Sequence, residues 1–177
     1  MEKIVIIING RGGVGKDTLC EFAAKNFRVQ NISAITPIKK IASEYGWNGE
    51  KDAKSRKFLS DLKKAFIDYN DLPTMYLYYK YKEFLDSNDQ ILFMHVREIE
   101  EIDKIKKKIE SKCITLLVNR EISNNFEWGN YSDDQVDQYK YDFYYDNNKE
   151  LDKSESDFIT LLDTIINMSI IKNKSGG

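Results

Sequence analysis

Residues Gly10-Arg11-Gly12-Gly13-Val14-Gly15-Lys16-Asp17-Thr18 place four glycines, two cations, a carboxylate and a hydroxyl in one short stretch. Glycine backbone can curl until several N–H groups converge on one anion, and a helix starting at Lys16 adds its positive dipole end. Lys16 then reaches the β- and γ-phosphates of a nucleoside triphosphate, and the Thr18 hydroxyl can hydrogen-bond the α-phosphate. The chemistry is a cradle for ATP made by Gly10, Gly12, Gly13, Val14, Gly15, Lys16, Asp17 and Thr18. Such a GxxxxGK pattern has this meaning when a strand leads into it and a helix leads out. Here Lys3–Asn9 (KIVIIIN) reads as a strand buried on both faces. Beyond it, Leu19, Phe22, Ala23 and Phe27 fall at helical spacing from Lys16 to about Phe27. Asp17 stands where most such loops carry a Ser or Thr that touches Mg²⁺. A carboxylate there either holds the ion through water or caps the helix start, and both readings stay open.

The rest of the chain must position this loop. After it, Asn31–Thr36 (NISAIT) reads as a second strand, and Pro37 suits the first turn of a helix running to about Tyr45. Gly46-Trp47-Asn48-Gly49 breaks that helix. Asp52–Asn70 is amphipathic, with Phe58, Leu59, Leu62, Ala65, Phe66 and Tyr69 in step, and a second helix is expected from about Thr74 to Ser87. Gln90–Val96 (QILFMHV) and Lys112–Val118 (KCITLLV) read as strands, with a charged helix from about Ile99 to Glu110 between them. Residues 119–140 have little periodicity and are expected to form a lid-like connection. Tyr141–Tyr145 can be a fifth strand, Ser154–Ile171 a final amphipathic helix, and residues 172–177 a frayed tail. Strands alternating with helices predict an α/β fold, a parallel sheet wrapped by helices in one domain over residues 1–171.

Composition narrows the partners. The 177 residues carry 27 basic and 29 acidic side chains, so no basic surplus points to nucleic acid or an anionic membrane. The apolar runs Ile4–Ile8 and Ile114–Val118 are too short to span a bilayer, and the N-terminus does not resemble a signal peptide. A cytoplasmic protein, monomer or homodimer, acting on a small molecule is the expectation. Cys20 and Cys113 lie in apolar periodic segments and read as reduced core residues, a disulfide or metal pair being the alternative. Only 5 of the 27 basic residues are arginines, at 11, 28, 56, 97 and 120. In a lysine-default chain each arginine is informative, because its planar fork fits phosphate as Lys cannot. Arg11 lies in the loop, within reach of the γ-phosphate. Arg97 ends the third strand, facing the crevice where such sheets bind ligands. Arg28 is left to the surface. The bland reading of the other four is a surface ion pair.

Four ordered patches resemble a known family. Gly15-Lys16-Asp17-Thr18, Thr36-Pro37-Ile38-Lys39-Lys40-Ile41-Ala42, Gly46-Trp47-Asn48-Gly49 with Lys51-Asp52-x-Lys54-x-Arg56-x-x-Leu59, and Val96-Arg97-x-x-x-Glu101 are similar to the phage-type deoxynucleoside monophosphate kinases and their bacterial relatives. The likeness spans residues 3 to about 120 and is loose beyond. It implies the nucleoside-monophosphate-kinase type of P-loop NTPase fold, three layers around a five-stranded parallel sheet. It implies transfer of the ATP γ-phosphate, with Mg²⁺, to a (deoxy)nucleoside monophosphate. The acceptor phosphate is already ionised near neutral pH, so catalysis is positioning and charge neutralisation. The resemblance gives Lys16, Arg11 and Arg97 the catalytic roles, Arg97 bridging the two phosphates. Lys39, Trp47, Arg56 and Arg97 would hold the acceptor through helices at about 37–87, Arg120 the nucleotide or the lid, and Asp17 the metal. His95 departs from the pattern: it stands where the family has an Asp before Val-Arg, and a neutral imidazole is a poor Mg²⁺ ligand. Asp17 takes over the ion, or Glu98 or Glu101 reaches it, or nucleotide binding remains without transfer. A kinase of another small phosphorylated metabolite is a further reading. Two segments have bland readings: Met75–Tyr81 as helical core and Lys104–Lys108 as a solvated face.

Overall fold

A computed structural model describes residues 3–109, 113–121 and 136–174. Its centre is β1 (Ile4–Asn9), every residue of which is buried. The β-branched run is aliphatic on both faces because both faces are covered. Ile4, Ile6 and Ile8 pack with Leu19, Phe22, Phe158, Leu162 and Ile165, while Val5 and Ile7 pack with Leu77, Tyr81, Phe84, Ile102 and Ile105. The two apolar layers come from α1 (Lys16–Asn26) and α6 (Leu151–Lys174) on one face, and α4 (Leu72–Asp86) and α5 (Ile99–Lys108) on the other.

The sheet adds β2 (Val29–Ser33), β3 (Ile91–His95), β4 (Cys113–Asn119) and β5 (Phe143–Asp146) in the order β2-β3-β1-β4-β5, with every pairing parallel. After β1 the chain crosses to the β2 edge, returns as β3, and then crosses to the far side as β4. The C-terminal end of β1 is therefore the switch point where such sheets open a crevice. Ile8 pairs with His95 and Asn9 with Leu117, which sets the ends of β3 and β4 on either side of the glycine loop. The predicted α/β class, the five strands and the three layers are all present.

Several boundaries differ from the sequence expectation. β2 begins and ends early, at Val29 and Ser33, because its ladder with β3 closes at Ser33–His95 and Ala34 N–H donates to the His95 carbonyl. Thr36 and Pro37 already belong to α2 (Thr36–Glu44). α3 (Ala53–Asn70) is capped by Asp52, whose carboxylate accepts from Ser55 N–H at 2.7 Å. Asp71, with φ 52°, then turns the chain into α4, which starts at Leu72 rather than Thr74. Pro73 fits that first turn, where its missing N–H costs nothing. At the other end of α4, the Lys3 ammonium donates to the carbonyls of Phe84, Ser87 and Asp89 at 2.6–3.0 Å, tying this helix end to the start of β1. β5 starts at Phe143 because Tyr141 is turned into the core and Asp142 is bonded to Thr115.

Tyr81 and Leu77 of the tyrosine-rich segment are core, as expected, while Tyr79 faces solvent. Cys20 is buried, Cys113 half-buried, and both are free thiols. Among the described residues, no helix is long and apolar enough to cross a membrane. Of the lid-like connection expected at 119–140, residues 122–135 lie outside the described residues, and so do residues 175–177 of the expected tail.

Candidate functional site

Gly10 leaves β1 with φ 142°, and a Cβ there would come within 2.4 Å of the Val118 carbonyl oxygen. The loop can pass this close to β4 only as glycine. Its N–H donates to Asn9 Oδ1 at 2.8 Å. At the exit, Gly15 caps α1 with φ 93°, and no side chain among the described residues caps that helix start. A helix start without a side-chain cap is where backbone N–H groups and the helix dipole can receive an anion. Val14 is buried and roots the loop in the core.

Lys16 folds over the loop, its ammonium donating to the carbonyls of Gly10 at 2.5 Å and Arg11 at 2.9 Å. Arg11 Nη2 pairs with Asp137 Oδ2 at 2.6 Å, and its Nε is shielded from water without a hydrogen-bond partner among the described residues. Asp17, on the first turn of α1, is exposed, with Oδ1 3.8 Å from His95 Nε2. His95 closes β3 between Asp17 and Cys20, whose sulfur lies 3.7 Å from the same nitrogen. Burial pushes the imidazole down to about 4, against the opposing pull of Asp17, so it is neutral at physiological pH. A neutral, half-enclosed ring is a crevice wall rather than a carrier of charge.

Arg97 lies exposed two residues beyond the end of β3, after the buried Val96. Asn9 Nδ2 donates to the Arg97 carbonyl at 3.0 Å and to the Tyr141 hydroxyl at 2.8 Å, and Tyr141 in turn donates to the Val136 carbonyl at 3.0 Å. Burial, with smaller contributions from neighbouring groups, pushes the Tyr141 phenol up to about 12, so it stays a donor. Glu98 and Glu101, the two other carboxylates within reach of a metal by sequence, both turn onto Lys63 of α3, at 2.6 and 2.8 Å. Burial raises both carboxyls; for Glu98 the hydrogen bond from Glu101 and the Lys63 ammonium outweigh it, and for Glu101 the neighbouring charge of Glu98 adds to it. Lys63 thus faces two carboxyls that are pushed in opposite directions, Glu98 down and Glu101 up.

The glycine loop with Arg11, Lys16 and Asp17, and Arg97 and Arg120, all follow the C-terminal ends of the central strands β1, β3 and β4. Arg120 is exposed just past β4, and Arg28 donates at the surface to the Asn88 carbonyl. Lys39 on α2 and Arg56 on α3 are exposed, and Trp47 sits half-buried in the turn between them, its N–H bonded to the Ala42 carbonyl. The Trp47 indole Nε1 is shielded from water and has no hydrogen-bond partner among the described residues. These three belong to a separate stretch, connected to the loop's edge through Lys63. A shallow cleft of about 340 Å³ lined by Asp71, Thr74, Lys104, Lys107 and Lys108 shares no residue with the loop.

Sequence reasoning missed Asn9, Lys63, Asp137, Tyr141 and Asn147. Asn9 left a signal, a buried polar residue ending an otherwise aliphatic strand just before the glycines. Asn147 left almost none.

No family model matches the chain, and no curated protein matches it. Solved structures do. A thymidylate kinase from Candida albicans superposes with TM-score 0.57 at 16% identity, over 94% of this chain and 93% of its own. A tunicamycin resistance protein from Deinococcus radiodurans gives TM-score 0.58 at 9% identity, over 91% and 96%. A sugar kinase from a Janibacter species gives 0.54 at 12%, over 91% and 95%. At these identities the likeness is one of fold. The chain has the three-layer P-loop NTPase fold of the kinase type, a five-stranded parallel sheet flanked by helices, with the glycine loop at the end of its central strand.

Proposed function

We propose that this protein transfers the γ-phosphate of ATP to the phosphate of a (deoxy)nucleoside monophosphate. The observation that carries the reading is the loop itself: an α1 N-terminus behind Gly15 that no side chain among the described residues caps, with the Lys16 ammonium lying across the loop carbonyls and Arg97 exposed two residues beyond the end of β3, the strand beside β1. The resemblance to phage-type deoxynucleoside monophosphate kinases and the fold shared with a thymidylate kinase support the acceptor class.

In this reading the acceptor phosphate oxygen forms the new bond to the γ-phosphorus, the bond to the β-bridging oxygen breaks, and ADP leaves. No general base is needed, and His95 is a poor one: its imidazole, half-buried beside Cys20, is held well below its ordinary basicity. Lys16 and the α1 N–H groups hold the donor phosphates, and Arg97 neutralises charge on the transferring group. Arg11 joins them once it leaves Asp137. Lys39, Trp47 and Arg56 hold the acceptor, and the Trp47 indole Nε1–H, shielded from water and without a partner among the described residues, is the donor the turn would offer it. Arg120 borders the nucleotide. The donor at the loop exit fits Mg²⁺: Asp17 offers an exposed hard carboxylate, the sparse protein ligation this ion accepts beside phosphates and waters. The bound ion would supply further neutralisation of the β- and γ-phosphates.

The test is ADP release from MgATP against a panel of ribo- and deoxynucleoside monophosphates, with an acceptor-free control. Turnover with one or two acceptors is expected. ATP binding without ADP formation across the panel would support the alternative suggested by His95, a nucleotide-binding module without transfer activity. Lys16→Ala should lose nucleotide affinity; unchanged binding would remove the phosphate-loop argument.

A further inference from the structure

The geometry points to Asn147 as a positioning residue for the phosphate loop, acting through one peptide unit, Val14–Gly15. Asn147 directly follows β5 and is 8% exposed. Its backbone N–H donates to the Asn119 carbonyl at 2.8 Å, extending the β4–β5 ladder by one step. Its side chain leaves the sheet for the loop: Nδ2 donates to the Val14 carbonyl at 2.8 Å, and a Cβ on Gly15 would meet the same nitrogen at 2.6 Å. The other end of the amide is also held. Ser154, almost fully buried at the start of α6, donates its hydroxyl to Asn147 Oδ1 at 2.5 Å, and the Tyr145 hydroxyl lies 3.2 Å from that Ser154 oxygen. With Oδ1 accepting from Ser154, Nδ2 must face Val14, so the amide has one orientation.

A trans peptide is planar, and its C=O and N–H point in opposite directions. No cis peptide occurs among the described residues, so fixing the Val14 carbonyl on Asn147 aims the Gly15 N–H the other way. In a phosphate cradle the N–H groups must face the anion and the carbonyls must be turned out of it. Asn147 gives the outward carbonyl a partner and so holds the Gly15 N–H on the ligand side. Gly15, at φ 93°, occupies backbone space an L side chain rarely adopts, and without a fixed partner this peptide can rotate and present its oxygen to the phosphates. The inference rests on the ATP reading above for the identity of the anion.

Calorimetric titration with MgADP, paired with thermal melts and acceptor kinetics, tests it. Asn147→Ala should weaken MgADP about tenfold or more while the KM of the acceptor stays as in wild type. Asn147→Asp should be worse, because a carboxylate oxygen would oppose the Val14 carbonyl and the phosphates. Ser154→Ala, which frees the amide without removing it, should raise the Kd several-fold and serves if the alanine variant does not fold. Folded variants that lower Tm but bind MgADP as wild type does would overturn the inference and leave Asn147 a structural residue. Asn147→Asp binding as tightly as wild type would overturn it too. Wild-type protein that binds no MgADP would overturn the ATP reading and this inference together, so the two failures are distinguishable.

Discussion

Asn9 holds Arg97: the Asn9 amide nitrogen donates to the Arg97 carbonyl at 3.0 Å, while its oxygen accepts the Gly10 N–H at 2.8 Å. One buried side chain thus fixes the entrance of the phosphate loop and the backbone of the strand-end arginine relative to each other. Asn9→Asp keeps the acceptor for Gly10 and loses the donor to Arg97. We expect phosphoryl transfer by Asn9→Asp to fall about 10-fold to 100-fold with ATP affinity changing less. Asn9→Ala also leaves buried groups unpaired, at roughly 1–3 kcal/mol each. Steady-state kinetics with a denaturation curve check this; a normal kcat in Asn9→Asp would show that Arg97 needs no such support.

Lys63 joins the acceptor-side helix α3 to the segment after β3 through Glu98 and Glu101. Lys63→Met leaves two carboxylates facing one another at a mostly buried site, and breaking such a pair costs about 3–5 kcal/mol. A fall in Tm of about 10 °C is the expected reading for a chain of this size. A change of only a degree or two would mean that water reaches the cluster.

Glu101 also sets a pH dependence. Burial, then the hydrogen bond and charge of Glu98, lift its carboxyl to about 8 from an ordinary 4.5. Because the folded protein retains a proton that the unfolded chain releases, this contribution is complete below about pH 4.5 and is lost as pH rises toward 8. Glu98 works oppositely, being held down to about 2, and its contribution is lost only on acidification below 4.5. The stability difference between wild type and Glu101→Gln should therefore shift against wild type from pH 5 to 8, read as paired Tm values. A pH-independent difference would place the Glu101 proton elsewhere.

Arg11 and Asp137 form a pair at 2.6 Å with side chains 41% and 57% exposed. Exposed pairs contribute at most about 1 kcal/mol, so Asp137→Ala should barely move Tm. Freed from its carboxylate, Arg11 should bind ATP more tightly, and Arg11→Ala should cancel that gain. Equal ATP affinity in wild type and Asp137→Ala would assign Arg11 to the surface.

Much of the framework was legible in the sequence because it is written locally. Ile4–Ile8 followed by glycines forecasts a buried strand and a loop, and Leu19, Phe22 and Ala23 forecast the helix that receives it. The residues that fix the site were less legible because their partners are far away in sequence. Lys63 reads as one more lysine on an amphipathic helix until α5 brings Glu98 and Glu101 to it, 35 and 38 residues later. Asn147 is one polar residue among Asp146, Asn147 and Asn148, and only the parallel β4–β5 pairing aims it at Val14, 133 residues earlier. The late start expected for β2 has the same origin, since Val29 joins the sheet by pairing with Ile91 rather than by its own pattern.

The most direct test follows the phosphate itself. ATP labelled in its γ-phosphate, incubated with the protein, Mg²⁺ and a mixture of ribo- and deoxynucleoside monophosphates, should yield label in one or two nucleoside diphosphates, and Arg97→Ala should slow that transfer about 10³-fold. Label that stays in ATP, or appears only as inorganic phosphate, would contradict the account.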